Sequence, residues 1–202
     1  MPSFENENYE EINYNHLDLR ETEIRNSVFT KCLFIGTQLH EVMTTGCQFI
    51  DCDFSGASFN ASIHVRSAFT NCRFFGANLF SSRFEECKMV GSDFANVVWD
   101  GITIQGGDWS YTNLRYANWS KQKLQDIKLV EADLAFARLE KADLTNADLS
   151  YASFGNTTLK GADLRGAKLE GIDWKSFNVQ GVRLDFVQAV AFTRSYGACV
   201  EC

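Results

Sequence analysis

The stretch ADLTNADLS at residues 142–150 repeats itself after five residues, and that period runs through nearly the whole chain. Five fits neither the turn of a helix nor the two-residue alternation of a strand. A unit so short cannot bury a face by itself, so copies must cover it from above and below, which makes a solenoid. Stepping by five from Leu19 to Leu184 gives 34 centre positions, of which 32 carry Leu, Phe, Ile, Trp, Met or Val. All four tryptophans (Trp99, Trp109, Trp119 and Trp174) fall in this frame, and no insertion or deletion shifts it.

Two residues before each centre the side chain is mostly small: Ala57, Ala77, Ala117, Ala132 and Ala137 are examples, with Ser, Thr and Cys at many other units. One large and one small inward residue per unit suits a narrow, densely filled interior. Two residues after the centre, glycine recurs at Gly36, Gly56, Gly76, Gly161, Gly166 and Gly171, where a corner would need unusual backbone angles. Each unit therefore reads as a short inward-facing edge followed by a corner.

The segments ADLTNADLSYASF, KGADLRGAKLEG and CDFSGASF resemble the pentapeptide-repeat family, whose unit is A(D/N)Lxx, over about residues 17–186. The resemblance implies an all-β, right-handed quadrilateral β-helix with four units per coil. At roughly 4.8 Å between coils the rod would be about 40 Å long. The expected organisation is an acidic N-terminal cap segment at 1–15, repeats at 16–186, and a C-terminal helix and tail at 187–202. The last piece would cap the rod and join a dimer.

With 202 residues and an unbroken repeat, the chain has room for one domain. Its sole proline is Pro2, it has no long apolar run, and its acidic start lacks a signal-peptide core, so a cytoplasmic protein without membrane contact is expected. Seven cysteines, an odd number, argue against a disulfide framework. Cys32, Cys47, Cys52, Cys72 and Cys87 occupy the small inward position, which favours buried small side chains over metal ligands. No phosphate loop, nucleophile–base pair or ligand spacing is present, so neither an enzyme nor a cofactor is expected. Thr44 and His64 are the two polar centres, on adjacent coils of one face. They form either a hydrogen-bonded pair or a bulge that turns both outward.

Function must then lie on the outer surface or the ends. The net charge is −7, and residues 16–186 hold 21 acidic and 18 basic side chains; much of the remainder comes from Glu5, Glu7, Glu10 and Glu11. Asp53, Asp93, Asp133 and Asp173 fall on one face at every second coil, and Glu85 with Glu86 makes an acidic spot on another. These six are the candidate DNA-mimicking surface, unless the aspartates only satisfy turns. Outward aromatics (Phe75, Phe80, Tyr116 and Phe136) include the pair Tyr116–Phe136, expected to stack. After Leu184, Asp185 and Gln188 have capping-box spacing and Gly197 is placed to end a helix. Ala189, Phe192 and Tyr196 would share a face, with Phe186, Val187 and Val190 nearby, as the candidate dimer interface.

GVRLDFVQA and TNLRYANWSKQKL resemble stretches of the Qnr-type quinolone-resistance members of the family. That resemblance implies a homodimer joined through C-terminal helices, which binds DNA gyrase or topoisomerase IV in place of duplex DNA and does not itself bind nucleic acid. The chain lacks the two loops that interrupt the coils of many such proteins. A scaffold rod with an unrelated protein partner is the alternative, and protection against a gyrase toxin would be a third biology with the same mechanism.

Overall fold

The computed structural model describes residues 4–201. Parallel pairing recurs at a spacing of twenty residues, from Phe4 opposite Ile24 to Asp163 opposite Arg183, so four five-residue units complete one coil. The first face carries β1 (Phe4–Glu5), β3 (Glu23–Arg25), β5 (Met43–Thr45), β7 (Ile63–Val65), β9 (Arg83–Glu85) and β10 (Thr103–Gln105) in sequential register. The second carries β2 (Asn8–Glu10), β4 (Val28–Thr30), β6 (Gln48–Ile50) and β8 (Ala68–Thr70). The third face, through Tyr14 and Phe34, and the fourth, through Leu19 and Leu39, are laddered by single bridges.

Corners fall every five residues, where the chain turns with positive φ. Glycine meets this at Gly56 (φ 64°), but 24 other residues also adopt it, among them Glu86 (50°) and Tyr116 (62°). A left-handed non-glycine residue costs on the order of 1 kcal/mol. Coil-to-coil hydrogen bonds hold it there: the Lys121 N–H donates to Glu140 O at 2.9 Å and Phe136 N–H to Gly155 O at 2.8 Å.

The interior follows the sequence frame. Phe29, Phe49 and Phe69 stack at 4.9 and 4.7 Å, within 8° of parallel, and Phe34, Phe54, Phe74 and Phe94 make a second column at 4.7 to 5.1 Å. Rings one coil apart are thus held at the coil spacing itself, and the two columns meet edge to face. The small position has its own chemistry. Its hydroxyl or thiol donates to the centre carbonyl of the previous coil, as Ser92 Oγ does to Phe69 O at 2.8 Å and Cys72 Sγ to Phe49 O at 3.3 Å. The five frame cysteines are all buried, and burial pushes the Cys47 and Cys72 thiols upward and that of Cys87 to about 12. A thiol reagent added to the native protein is expected to modify exposed Cys199 in minutes and the buried five only on unfolding. Rapid reaction of Cys32, Cys52 or Cys72 would contradict this packing. Cys202, also expected to react fast, lies outside the described residues.

Two boundaries differ from expectation. The coils begin at Phe4, not residue 16: Phe4, Tyr9 and Tyr14 continue the centre frame, and Tyr9 stacks on Phe29 at 4.9 Å. Residues 4–15 are therefore first-coil residues, and Glu5, Glu7, Glu10 and Glu11 sit on the rod. At the other end, the helix α1 spans Phe186–Ser195, opening one residue before the expected boundary.

Thr44 and His64 resolve as a buried network with no bulge. Thr44 Oγ1 lies 2.8 Å from His64 Nδ1 and donates to Ser67 Oγ at 3.0 Å, while Ser62 Oγ lies 2.9 Å from Nε2. Since the threonine hydroxyl proton goes to Ser67, Nδ1 carries the ring proton, and burial keeps the ring neutral. It stacks on Phe84 at 4.7 Å and so keeps the aromatic column continuous.

Candidate interaction surface

The aspartate preceding a centre has a backbone task. Asp53 Oδ1 accepts the Ser55 N–H at 2.8 Å, Asp93 that of Ala95 at 3.1 Å, Asp133 that of Ala135 at 2.9 Å and Asp173 that of Lys175 at 2.9 Å. Asn78 and Asn113 do the same for Phe80 and Arg115, which is why the unit admits either residue. The turn role accounts for the position of these carboxylates in the repeat, and uses one oxygen of each.

Asp53, Asp93 and Asp133 do share the third face, but basic and neutral groups separate them. The ladder there runs Leu33, Asp53, Arg73, Asp93, Asn113, Asp133, Ser153. Asn113 Nδ2 donates to Asp93 at 2.7 Å, and Arg115 Nη1 lies 3.1 Å from Asp133 Oδ2. Asp173, exposed, has no bridge to Ser153, so it stands apart from that ladder. Glu85 and Glu86 lie on the first face and its corner; Glu85 is paired with Arg83, and Glu86 is exposed. The second face alternates outright, as Lys88, Asp108, Lys128, Asp148, Lys168, with Lys168 Nζ 3.1 Å from Asp148 Oδ2. The acid excess sits at one end of the rod: residues 4–41 hold eight acidic and three basic side chains, and residues 42–201 hold eighteen and sixteen.

The outward aromatics behave as a ladder. Tyr116 and Phe136 stack at 5.0 Å with 10° between their planes, and the Arg115 guanidinium lies over Phe136 at 5.2 Å while pairing with Asp133. Tyr116 is 65% exposed, so the stack stands proud of the surface. Arg115 was not singled out from the sequence, although its place beside the centre Leu114, on the same face as Asp133, follows from the frame alone.

At the C-terminus the capping box forms in full, with Asp185 accepting from Gln188 N–H at 2.9 Å and Gln188 Oε1 accepting from Asp185 N–H at 3.0 Å. The N–H groups of Gln188 and Gly166 hold the Asp185 carboxyl below the usual carboxylate range. Gly197 (φ 86°) closes the helix. Gln188 is buried and its Nε2 donates to Leu164 O and Ala167 O, at 2.5 and 2.8 Å, so the capping residue also takes up carbonyls the coil leaves open. The expected common apolar face is split. Phe192 turns inward against Trp174 at 5.6 Å, whereas Phe186, Val187 and Tyr196 are 76, 75 and 59% exposed; Ala189 is exposed and Val190 half-buried.

Among the described residues no cluster of three His, Cys, Asp or Glu is placed to hold a metal ion, and no helix is long and apolar enough to cross a membrane. What remains is a side-chain-filled parallel β-solenoid of five-residue units, displaying turn carboxylates and laddered aromatics. The chain belongs to the pentapeptide-repeat family: one model of such repeats matches residues 42–114 and another, of eight copies, residues 127–166. Among solved structures it is similar to a trypsin-treated variant of QnrB1, a plasmid-mediated fluoroquinolone resistance protein, at 26% identity. That match covers 99% of this chain and 100% of the other, with a TM-score of 0.66. Full-length QnrB1 matches at 24% identity over 98 and 100% of the two chains, with a TM-score of 0.73. No curated protein matches the chain.

Proposed function

We propose that the protein is a non-catalytic interaction rod that occupies the DNA-binding surface of a type II topoisomerase, DNA gyrase or topoisomerase IV. The observation that carries this reading is the end-to-end likeness to QnrB1, a fluoroquinolone resistance protein. Turn carboxylates, each with one oxygen beyond the turn bond, supply groups that can stand in for phosphates. A basic DNA saddle would be drawn to them, and such binding weakens as salt rises.

Two sets of four charges separate the side of the rod from its end. One variant converts Asp53, Asp93, Asp133 and Asp173 to Asn; the resident asparagines already perform the same turn role, so folding should survive. The other converts Glu5, Glu7, Glu10 and Glu11 to Gln on the first coil. The readouts are inhibition of gyrase supercoiling and relief of fluoroquinolone inhibition. The expected result is loss in the first variant, with the second largely active. Loss confined to the second would move the mimicking surface to the acidic end. No effect of the wild-type protein on gyrase at any salt concentration would overturn the reading. It would leave the scaffold with another partner, which the alternating charges of the second face favour.

Dimerisation belongs to the same proposal, with Phe186, Val187 and Val190 at the seam. Val187→Asp should give a monomer in sedimentation with unchanged circular dichroism, because it leaves the Gln188 cap intact. Phe192→Asp should instead loosen the end of the rod, where the ring packs on Trp174. A dimer that persists in Val187→Asp would exclude this seam.

A further inference from the structure

Among the described residues, coil-to-coil backbone rungs are missing at two places: in the last coil, beside the C-terminal cap, and at one junction in the middle of the rod. Where the fourth and first faces pass from residues 99–106 to 118–125, six expected rungs are missing among the described residues. The N–H groups of Trp99, Gly101, Asn118, Ile104, Gly106 and Lys123 donate to no backbone carbonyl of the adjoining coil. One coil earlier the equivalent Leu79 and Ser81 N–H groups donate to Val98 O and Asp100 O at 3.0 and 2.9 Å. One coil later Trp119, Lys121 and Leu124 donate to Arg138 O, Glu140 O and Asp143 O at 2.8, 2.9 and 2.7 Å. Into the gap reaches Gln122, whose Nε2 donates to Ile102 O at 2.7 Å in place of the missing Lys123 amide. A groove of about 600 Å³ opens there, lined by Glu86, Thr103, Gln105, Lys121, Gln122 and Asp126.

The same junction is closed on the second face and in part on the third, where the Asn96 N–H also lacks its rung to Arg115 O. On the third, Phe94 N–H reaches Asn113 O and Asn113 N–H reaches Ser92 O, both at 3.1 Å, longer than the 2.7 Å of Phe74 to Asp93 O one coil before. On the second, Trp109 N–H donates to Lys128 O at 2.8 Å and Lys128 N–H to Gly107 O at 3.1 Å. Opening is thus a rotation about the second face and the remaining rungs of the third. The first face passes into the second through Gly106 and Gly107, the chain's sole Gly-Gly pair. Gly107 has φ 91°, and a Cβ there would lie 2.2 Å from Cys87 O.

The core explains the gap. Phenylalanines one coil apart stack flat at 4.7 to 5.1 Å, but Trp99 and Trp119 meet edge to face at 5.6 Å and 86°, which demands more than one coil rise. The small frame is also filled with large residues on both sides of the junction, by Val97, Ile102, Gln122 and Ile127. We infer that this junction is a hinge, wedged by its core, at which the two halves of the rod rock against each other and so adjust its curvature to a partner's surface. Such a hinge does not depend on which partner the rod meets.

Native-state hydrogen exchange on the whole protein tests the open rungs. The amides of Trp99, Gly101, Ile104, Gly106, Asn118 and Lys123 should exchange about 100-fold or more faster than those of Leu79, Ser81, Trp119, Lys121 and Leu124. Motion is read from spin-label distances, with Cys199 and Cys202 replaced by Ser. Labels at Arg66→Cys and Asn146→Cys span four coils and cross the junction. Labels at Asn6→Cys and Glu86→Cys span four coils without crossing it, both pairs being roughly 19 Å apart. The crossing pair should show the broader distribution. Trp99→Leu combined with Gln122→Ala should narrow it and restore protection at Asn118 and Lys123. Equal protection across the three junctions, or equal widths for the two label pairs in the otherwise native protein, would overturn the hinge without recourse to the double variant.

Discussion

Phe69→Ala is expected to lower the unfolding free energy by about 3–5 kcal/mol. Phe69 is fully buried, stacked on Phe49 at 4.7 Å, and touches Phe54, Phe74 and His64 edge to face. Removing the ring leaves a void that neighbours cannot fill, because each is held at its own coil height by hydrogen bonds above and below. A globular core can shift a helix to close such a hole, whereas here the coil spacing is fixed by the backbone ladder. The matched control is Phe80→Ala, where the ring is half exposed and its loss should cost less than about 1 kcal/mol. Urea unfolding of the two variants decides the matter. Similar losses would mean that the stacked columns are not what holds the coils together. Because each coil contacts only its neighbours, a second, shallower transition confined to one half of the rod would be a further signature of the Phe69 void.

The coil could be read from the chain because its two inward positions are chemically so different. A large apolar centre and a small partner recur in strict register, and no other regular structure has that period. The four-sided cross-section did not follow from periodicity; it came with the family resemblance and appears in the structure as the twenty-residue pairing. The start at Phe4 was legible but unread. Phe4, Tyr9 and Tyr14 lie in frame, yet the small positions before Tyr9, Tyr14 and Leu19 hold Glu7, Ile12 and Leu17, which no preceding described coil covers and which remain exposed. The same frame holds the signal for the hinge. Between Thr22 and Ala167 the small position departs from Ala, Ser, Thr, Cys and Gly only at Val42, Val97, Ile102, Gln122 and Ile127. Val42 is offset by the undersized centre Thr44 next to it. The other four flank the open junction. Ile172, Phe177 and Val182 repeat the fault in the last coil, where Leu159 and Gly161 likewise lack their rungs to Asn178 and Gln180. The surface was harder to read, since a carboxylate that serves a turn and one that serves a partner are the same residue in the same place. Helix α1 shows the limit in another way. Spacing located the capping box, but spacing alone could not tell that Phe192 faces the rod and Phe186 and Val187 face away.

The second large effect is expected from pH and from one residue. His64 is fully buried, and loss of hydration pushes its pKa down from 6.5 to about 3. The unfolded chain, with an ordinary histidine, takes up a proton as pH falls through 6.5, while the folded chain does not until about 3. Protons therefore favour the unfolded state across this interval, and stability contributed by the neutral ring is complete above pH 6.5 and declines below it. The slope is about 1.4 kcal/mol per pH unit, which accumulates to several kcal/mol by pH 4 to 3. His64→Phe should remove this slope. Phenylalanine is what the frame places at most neighbouring centres, and it can take the same stacked position on Phe84. Thr44 Oγ1 keeps its bond to Ser67, although Ser62 loses its ring partner. At pH 7.5 the variant should therefore lie within about 2 kcal/mol of wild type. Carboxylates such as Asp185, whose depressed pKa also withdraws stability in acid, are common to both proteins and cancel in the difference. The measurement is urea unfolding of wild type and variant at intervals from pH 7.5 to 4. The difference between them should shift in favour of the variant by about 1.4 kcal/mol for each unit below 6. Parallel profiles across that range would show that His64 is not held neutral in the core, and that the network around Thr44 opens to water before the rod unfolds.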